Sequence, residues 1–183
     1  MKRICLVFTF LFVSLVAPAQ SQDATHQPDV EFNKLQVLVG HWTYNGEYKS
    51  GPWGPATKIK GEWMYEFVLN GFVLQGHCTE KSSEGEIHYL EIAEFDSFAK
   101  NIADSVAGDD GSRYSGHIVF SGKTPIWIET FVVGGKQYQY REPFELSADL
   151  MSATAKGEIS EDGKTWMPFF EGTFTKVVPS VKK

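Results

Sequence analysis

The sequence predicts an all-β fold: a single antiparallel up-and-down β-barrel of about ten strands, preceded by one short helix. Three observations carry the prediction. From Trp42 onward, apolar and polar residues alternate with a period of two. Turn-forming pairs, among them Asn70-Gly71, Gly134-Gly135 and Asp162-Gly163, punctuate that alternation. The connections are therefore hairpins, and a meander of hairpins leaves two raw edges unless it closes on itself. A β-sandwich is the structural alternative, but it needs longer crossovers than these turns provide.

The elements follow in chain order. Lys2 and Arg3 open the chain, an apolar run from Ile4 to Val16 follows, and Ala17-Pro18-Ala19 supplies a small-x-small cleavage signal. That is the layout of a secretory signal peptide over residues 1–19, cleaved after Ala19 or Gln20. The mature protein is thus expected to be exported, periplasmic or secreted. The apolar run is too short to span a bilayer, so no membrane insertion is expected after cleavage. Residues 20–28 are polar and aperiodic and read as a flexible leader. The barrel domain is assigned to 29–178 and a C-terminal tail to 179–183. Asp29 is placed to cap a short helix that presents Phe32, Leu35, Leu38 and Val39 and stops at Gly40.

In the strands, Ile59, Trp63, Tyr65, Phe67 and Leu69 share one face, with Lys58, Lys60, Glu62 and Glu66 on the other. Asn70-Gly71 reads as a two-residue hairpin turn that pairs Leu69 with Phe72. The inward set then continues as Phe72, Leu74, Gly76 and Cys78, leaving Gln75, His77 and Thr79 outside. Around Gly134-Gly135 the ring-rich face holds Trp127, Glu129, Phe131, Val133, Tyr138 and Tyr140. Trp166, Phe170 and Phe174 share one face of the last strand. The facing of the segment from Ile87 to Phe95 is ambiguous from the pattern alone.

Charge and chemistry narrow the functions. Lys and Arg total 17 against 23 Asp and Glu, a net charge of −6, and loss of Lys2 and Arg3 makes it two units more negative. An acidic surface repels phosphate backbones, which excludes nucleic acid as a partner. Cys5 lies in the signal peptide, so Cys78 is left without an intramolecular disulfide partner and reads as an inert core thiol. Its 42% hydrophobic and 14% aromatic composition must then supply the core. The histidines His26, His41, His77, His88 and His117 show no metal-ligand spacing. No Gly-x-Ser-x-Gly elbow, phosphate loop or His-Glu-x-x-His helix is present. No cofactor is expected.

The short helix ending at Gly40-His41-Trp42, the Asn70-Gly71 hairpin and the late Glu161-Asp162-Gly163-Lys164-Thr165-Trp166 segment together resemble the calycin superfamily of lipocalins, fatty-acid-binding proteins and nitrobindin-like barrels. More closely, they resemble a bacterial lipocalin-like family known mainly as a domain of unknown function. The resemblance implies a barrel with a cavity for an apolar small molecule and a Trp42 that plugs one end. Nitrobindin-like barrels hold haem through a late His; here no His follows His117, a departure from that mode.

The leading expectation is therefore a binding protein for a small, largely apolar molecule. Its candidate ligand-binding residues are Trp63, Tyr65, Phe67, Phe72, Leu74, Trp127, Glu129, Phe131, Tyr138, Tyr140, Trp166 and Phe170. Glu129 stands out as a carboxyl group among rings, where burial raises its pKa. Two other functions remain open: an isomerase or hydrolase using Glu129, and a ligand-free structural or interaction protein of the cell envelope, which an exposed aromatic patch around Trp53 would favour.

Overall fold

The computed structural model describes residues 27–133 and 135–178. The signal peptide, its cleavage site, residues 20–26 of the leader, Gly134 and the tail at 179–183 lie outside the described residues. Ten antiparallel strands form a closed barrel: β1 (Gly40–Tyr48), β2 (Thr57–Val68), β3 (Val73–Lys81), β4 (Glu86–Asp96), β5 (Asn101–Gly108), β6 (Arg113–Ser121), β7 (Thr124–Val133), β8 (Lys136–Leu146), β9 (Ser152–Ser160) and β10 (Met167–Lys176). Each strand pairs with its successor, and β10 returns to β1 through pairs running from Trp42↔Lys176 to Tyr48↔Phe170. Closure gives every strand two hydrogen-bonded neighbours and removes the edges that a meander would expose.

Helix α1 (Val30–Asn33) runs directly into a 3-10 turn, Lys34–Leu38. Asp29 caps it by accepting the Glu31 N–H at 2.8 Å. Phe32, Leu35 and Leu38 are spaced by three, the repeat of a 3-10 helix, so all three stack on one side. They are 0–1% exposed and seal one end of the barrel. Trp42 completes the seal: it is 1% exposed and donates its indole N–H to the Leu38 carbonyl at 2.7 Å.

The predicted register of the β2–β3 hairpin holds, since Trp63 pairs with Cys78, Tyr65 with Gly76 and Phe67 with Leu74. Its turn is longer than the sequence suggested. Pairing stops at Val68↔Val73, and Leu69 to Phe72 form a four-residue turn in which Leu69, Asn70 and Gly71 all have positive φ. Leu69, expected inside, is therefore 72% exposed.

Strand β10 departs from simple alternation. Its register against β9 shifts between Pro168 and Phe170. A bulge of this kind turns two consecutive side chains to one face, and both Phe169 and Phe170 face the interior. Trp166 consequently falls before the strand and outside the barrel, with the Arg141 guanidinium 4.1 Å from its ring centre. The turn before it is held by Asp162, whose carboxylate accepts the Lys164 and Thr165 N–H groups at 2.8 and 2.7 Å. Those donors hold its pKa down at about 2. Among the described residues no helix is long and apolar enough to cross a membrane.

A candidate binding cavity of rings and carboxyl groups

The barrel is not packed solid. A cavity of about 430 Å³ runs from the sealed end, where Leu38 and Trp42 form its floor, to the connections on the opposite side, where Trp53, Pro55, Ser82 and Glu84 form a mouth. Small barrels can fill themselves with their own side chains; glycines prevent that here. Gly76 faces inward on β3, and a Cβ there would lie 2.5 Å from the Tyr65 ring. A Cβ at Gly61 would lie 2.7 Å from the Tyr44 ring, and one at Gly157 2.4 Å from the Tyr140 hydroxyl. The rings take the space that side chains at these positions would fill, and the centre stays open.

Strand parity brings five carboxyl groups into this interior. Glu80 (β3), Glu91 (β4), Glu129 (β7) and Glu142 (β8) border the cavity, and Asp104 (β5) is buried at 4% exposure. Three of the glutamates have donors on neighbouring rings. The Tyr44 and Tyr48 hydroxyls donate to Glu80 at 2.8 and 3.3 Å. The Tyr65 hydroxyl and the Trp127 indole donate to Glu91 at 2.7 and 3.0 Å. The Tyr140 hydroxyl donates to Glu142.

Asp104 and Glu129 are different. Both Asp104 oxygens and Glu129 Oε1 are buried without a donor group. Asp104 lies against the carboxyls of Glu91 and Glu129. Contacts between carboxyl groups close as hydrogen bonds only when a proton sits between the oxygens. Gly116 makes the approach possible. It pairs with Asp104 on one side and Glu129 on the other, so no side chain separates them. A Cβ at Gly116 would lie 2.0 Å from the Ile128 carbonyl oxygen, too close for any other residue.

The electrostatics follow from burial. Removal from water raises the Glu129 pKa to about 7; the Asp104 contact pulls it down and the Glu91 charge pushes it further up. Burial raises Glu142 to about 8, against the opposing Tyr140 hydrogen bond. Glu80 and Glu91 are raised mainly by burial as well. Asp104 is driven well above the usual carboxylate range by burial and then by the charges of Glu91 and Glu129. No Lys, Arg or His among the described residues borders the cavity to offset these carboxyls. Burial also pushes up the Cys78 thiol, which keeps it protonated and unreactive.

Of the residues singled out from sequence, Trp63, Tyr65, Trp127, Glu129, Phe131, Tyr140 and Phe170 border the cavity. Five do not. Phe67 packs edge-on against Phe32 at the sealed end, with ring centres 5.6 Å apart, and Leu74 lies beside it in the core. Phe72 belongs to the four-residue turn. Tyr138 is buried near the mouth between Phe131 and Trp53, with its hydroxyl on Glu161. Trp166 is outside because of the β10 bulge. Trp53 itself is half-buried: its indole donates to the Lys49 carbonyl at 2.6 Å and its ring meets Phe169 edge-on, so it forms no exposed aromatic patch. Sequence reasoning missed Glu80, Glu91, Asp104 and Glu142. The signal was present for two of them, since Glu80 follows inward Cys78 by two residues and Glu142 follows Tyr140 by two.

The described fold is similar to the crystal structure of Rv2717c from M. tuberculosis, with a TM-score of 0.58 at 10% identity, covering 83% of this chain and 100% of that one. The S-type phycobiliprotein lyase CPES from Guillardia theta gives a TM-score of 0.48 at 8% identity, over 85% of this chain and 100% of that one. A de novo designed fluorescence-activating β-barrel gives 0.40 at 13% identity, over 79% and 98%. At these identities the Rv2717c likeness speaks to the barrel fold alone and not to a ligand. No curated protein matches the sequence. The family described as protein of unknown function (DUF1579) matches residues 27–176, the entire barrel, and the chain belongs to that family.

Proposed function

We propose that this chain is an exported small-molecule-binding barrel whose ligand, largely apolar and ring-bearing, enters at the mouth and lies along the aromatic wall. One observation carries the reading: a cavity of about 430 Å³ is open at one end, sealed at the other, and lined by rings from most of the strands. Drug-sized ligands occupy pockets of roughly 300–1,000 Å³ walled mainly by apolar and aromatic side chains, and here the rings make that wall while the carboxyl groups supply its polar points. The closed barrel, shared at the level of fold with Rv2717c, supports the reading.

Trp42, Trp63 and Trp127 border the cavity and serve as built-in reporters. Titration with a panel of ring-bearing compounds is expected to change their emission, and mass spectrometry of gently purified protein is expected to find a co-purified small molecule. Val106 faces the same space from β5. Val106→Phe narrows the cavity without adding a fluorophore that competes with tryptophan, and is expected to weaken binding by about tenfold or more while the protein stays folded. A flat response across the whole panel, or undiminished binding by Val106→Phe, would argue that the cavity is not the binding site. Export has its own check: the mature protein should begin at Gln20 or Ser21 when its N-terminus is sequenced, and an intact Met1 would refute cleavage.

A further inference from the structure

We propose that the ligand of this cavity carries a protonated primary or secondary amine that docks on Glu129 beside Asp104, while its ring-bearing body lies against the aromatic wall. The inference rests on the binding reading above and specifies its chemistry.

The first argument is the charge of the lining. Glu80, Glu84, Glu91, Glu129 and Glu142 border the cavity, and no basic side chain among the described residues does. A ligand with a carboxylate or phosphate head would bring negative charge into a low-dielectric space already crowded with acids. A cation meets the opposite situation.

The second argument is where donors are missing. Glu80, Glu91 and Glu142 each receive a ring hydroxyl or indole N–H. Glu129, 8% exposed and bordering the cavity, has an oxygen that receives none, and neither oxygen of Asp104 does. Among the described residues their only partners are one another's carboxyl groups; shared protons cannot serve every one of these oxygens, and a buried acceptor left over is costly. An ammonium group supplies two or three N–H donors and a charge at once. A bound metal ion fits less well, because no group of three or more His, Cys, Asp and Glu among the described residues is arranged to hold one.

The third argument is the surroundings. Tyr140 is the direct cross-strand partner of Glu129, and Trp127 and Phe131 flank it on the same face of β7. Ring faces beside a carboxylate attract an alkylammonium through their quadrupoles. On the other side Glu129 pairs with Gly116, whose bare backbone packs closely on β7 and places no cationic side chain beside the carboxyl group.

The titratable groups facing this position are Glu91 on β4, Asp104 on β5, Tyr114 on β6, and Tyr140 and Glu142 on β8. All are held toward the protonated form. When the ammonium enters, a carboxylic acid becomes its carboxylate partner and the displaced proton leaves to solvent. The amine keeps its own proton, so the charge balances and binding releases a proton.

The test is isothermal titration of the full chain with 2-naphthylmethylamine and with 2-naphthalenemethanol, near-isosteric compounds that differ in charge. Each titration is run in two buffers of different ionisation heat. The amine is expected to bind about tenfold or more tightly than the alcohol, with a buffer-dependent heat that reports proton release. Glu129→Gln should erase the preference for the amine over the alcohol, the readout being the ratio of the two affinities within the variant. Asp104→Asn provides the same comparison if Glu129→Gln loses its far-ultraviolet signature. Equal binding of both compounds would overturn the amine inference and leave the binding reading standing. If neither compound nor any in the fluorescence panel binds, both fall together.

Discussion

Raising the pH from about 5 to about 8.5 is expected to lower the thermal midpoint of this barrel by roughly 5–10 °C. The cause is the acid lining. Glu129 titrates at about 7 and Glu142 at about 8 in the folded protein, and Glu80, Glu91 and Asp104 are displaced in the same direction. In the unfolded chain such groups titrate near ~4. Between those values the native state holds protons that the unfolded state has released, so the free energy of unfolding falls as pH rises. The contribution is complete below the unfolded pKa and is lost as pH passes through the folded values. The exposed pair of His88 with Asp109 acts in the same sense for the histidine, whose pKa is raised by that hydrogen bond. Carboxylates stabilised by donors, such as Asp96 and Asp162, pull the other way only in more acidic solution, where they begin to protonate.

Each pKa unit corresponds to ~1.4 kcal/mol, and water in the cavity screens part of it. A net loss of about 2–4 kcal/mol is reasonable for the group as a whole. Calorimetric melts across a pH series at constant ionic strength provide the measurement. The double variant Glu129→Gln with Glu142→Gln should flatten the profile. A midpoint that climbed steadily from pH ~5 to ~8 would mean that these carboxyls ionise freely in the native barrel.

Replacing Trp42 by alanine is expected to cost about 3–5 kcal/mol. The side chain is 1% exposed, meets Phe144 edge-on at 5.8 Å, and anchors the 3-10 turn through the Leu38 carbonyl. Its loss removes an indole from the core and frees the segment that seals the barrel, so the cavity gains an opening at its floor. Trp42→Phe retains most of the ring volume but leaves the Leu38 carbonyl without its donor, and should cost roughly 1–2 kcal/mol. Urea denaturation of the two variants measures both. A loss below about 1 kcal/mol for the alanine variant would show that the helix is held on by other contacts.

The barrel, its ten strands and the register of the first long hairpin were legible because period-two alternation and turn residues are local signals. Trp63 and Tyr65 could be placed inside from their own neighbours. The acidic interior was not legible in the same way. Glu91 and Asp104 lie on strands where both faces carry polar residues, so polarity alone cannot assign them. Their facing follows only when parity is carried around the ring, from Cys78 through Tyr89 and Glu91 to Asp104. Trp166 was misplaced for the converse reason: parity was carried through the Phe169 bulge, which inverts it. The extra residue on each side of Asn70-Gly71 was hidden too, because Leu69 in the left-handed region is unusual for a branched apolar side chain.

An even number of strands has a practical outcome. The chain enters β1 and leaves β10 at the same pole, where the Val177 amide donates to the His41 carbonyl at 2.8 Å. Anything joined directly to the described ends of the barrel therefore sits at the base of the vessel. Captured on a sensor chip by an affinity handle at one end or the other, the molecule would stand upright with its entrance facing the flowing solution.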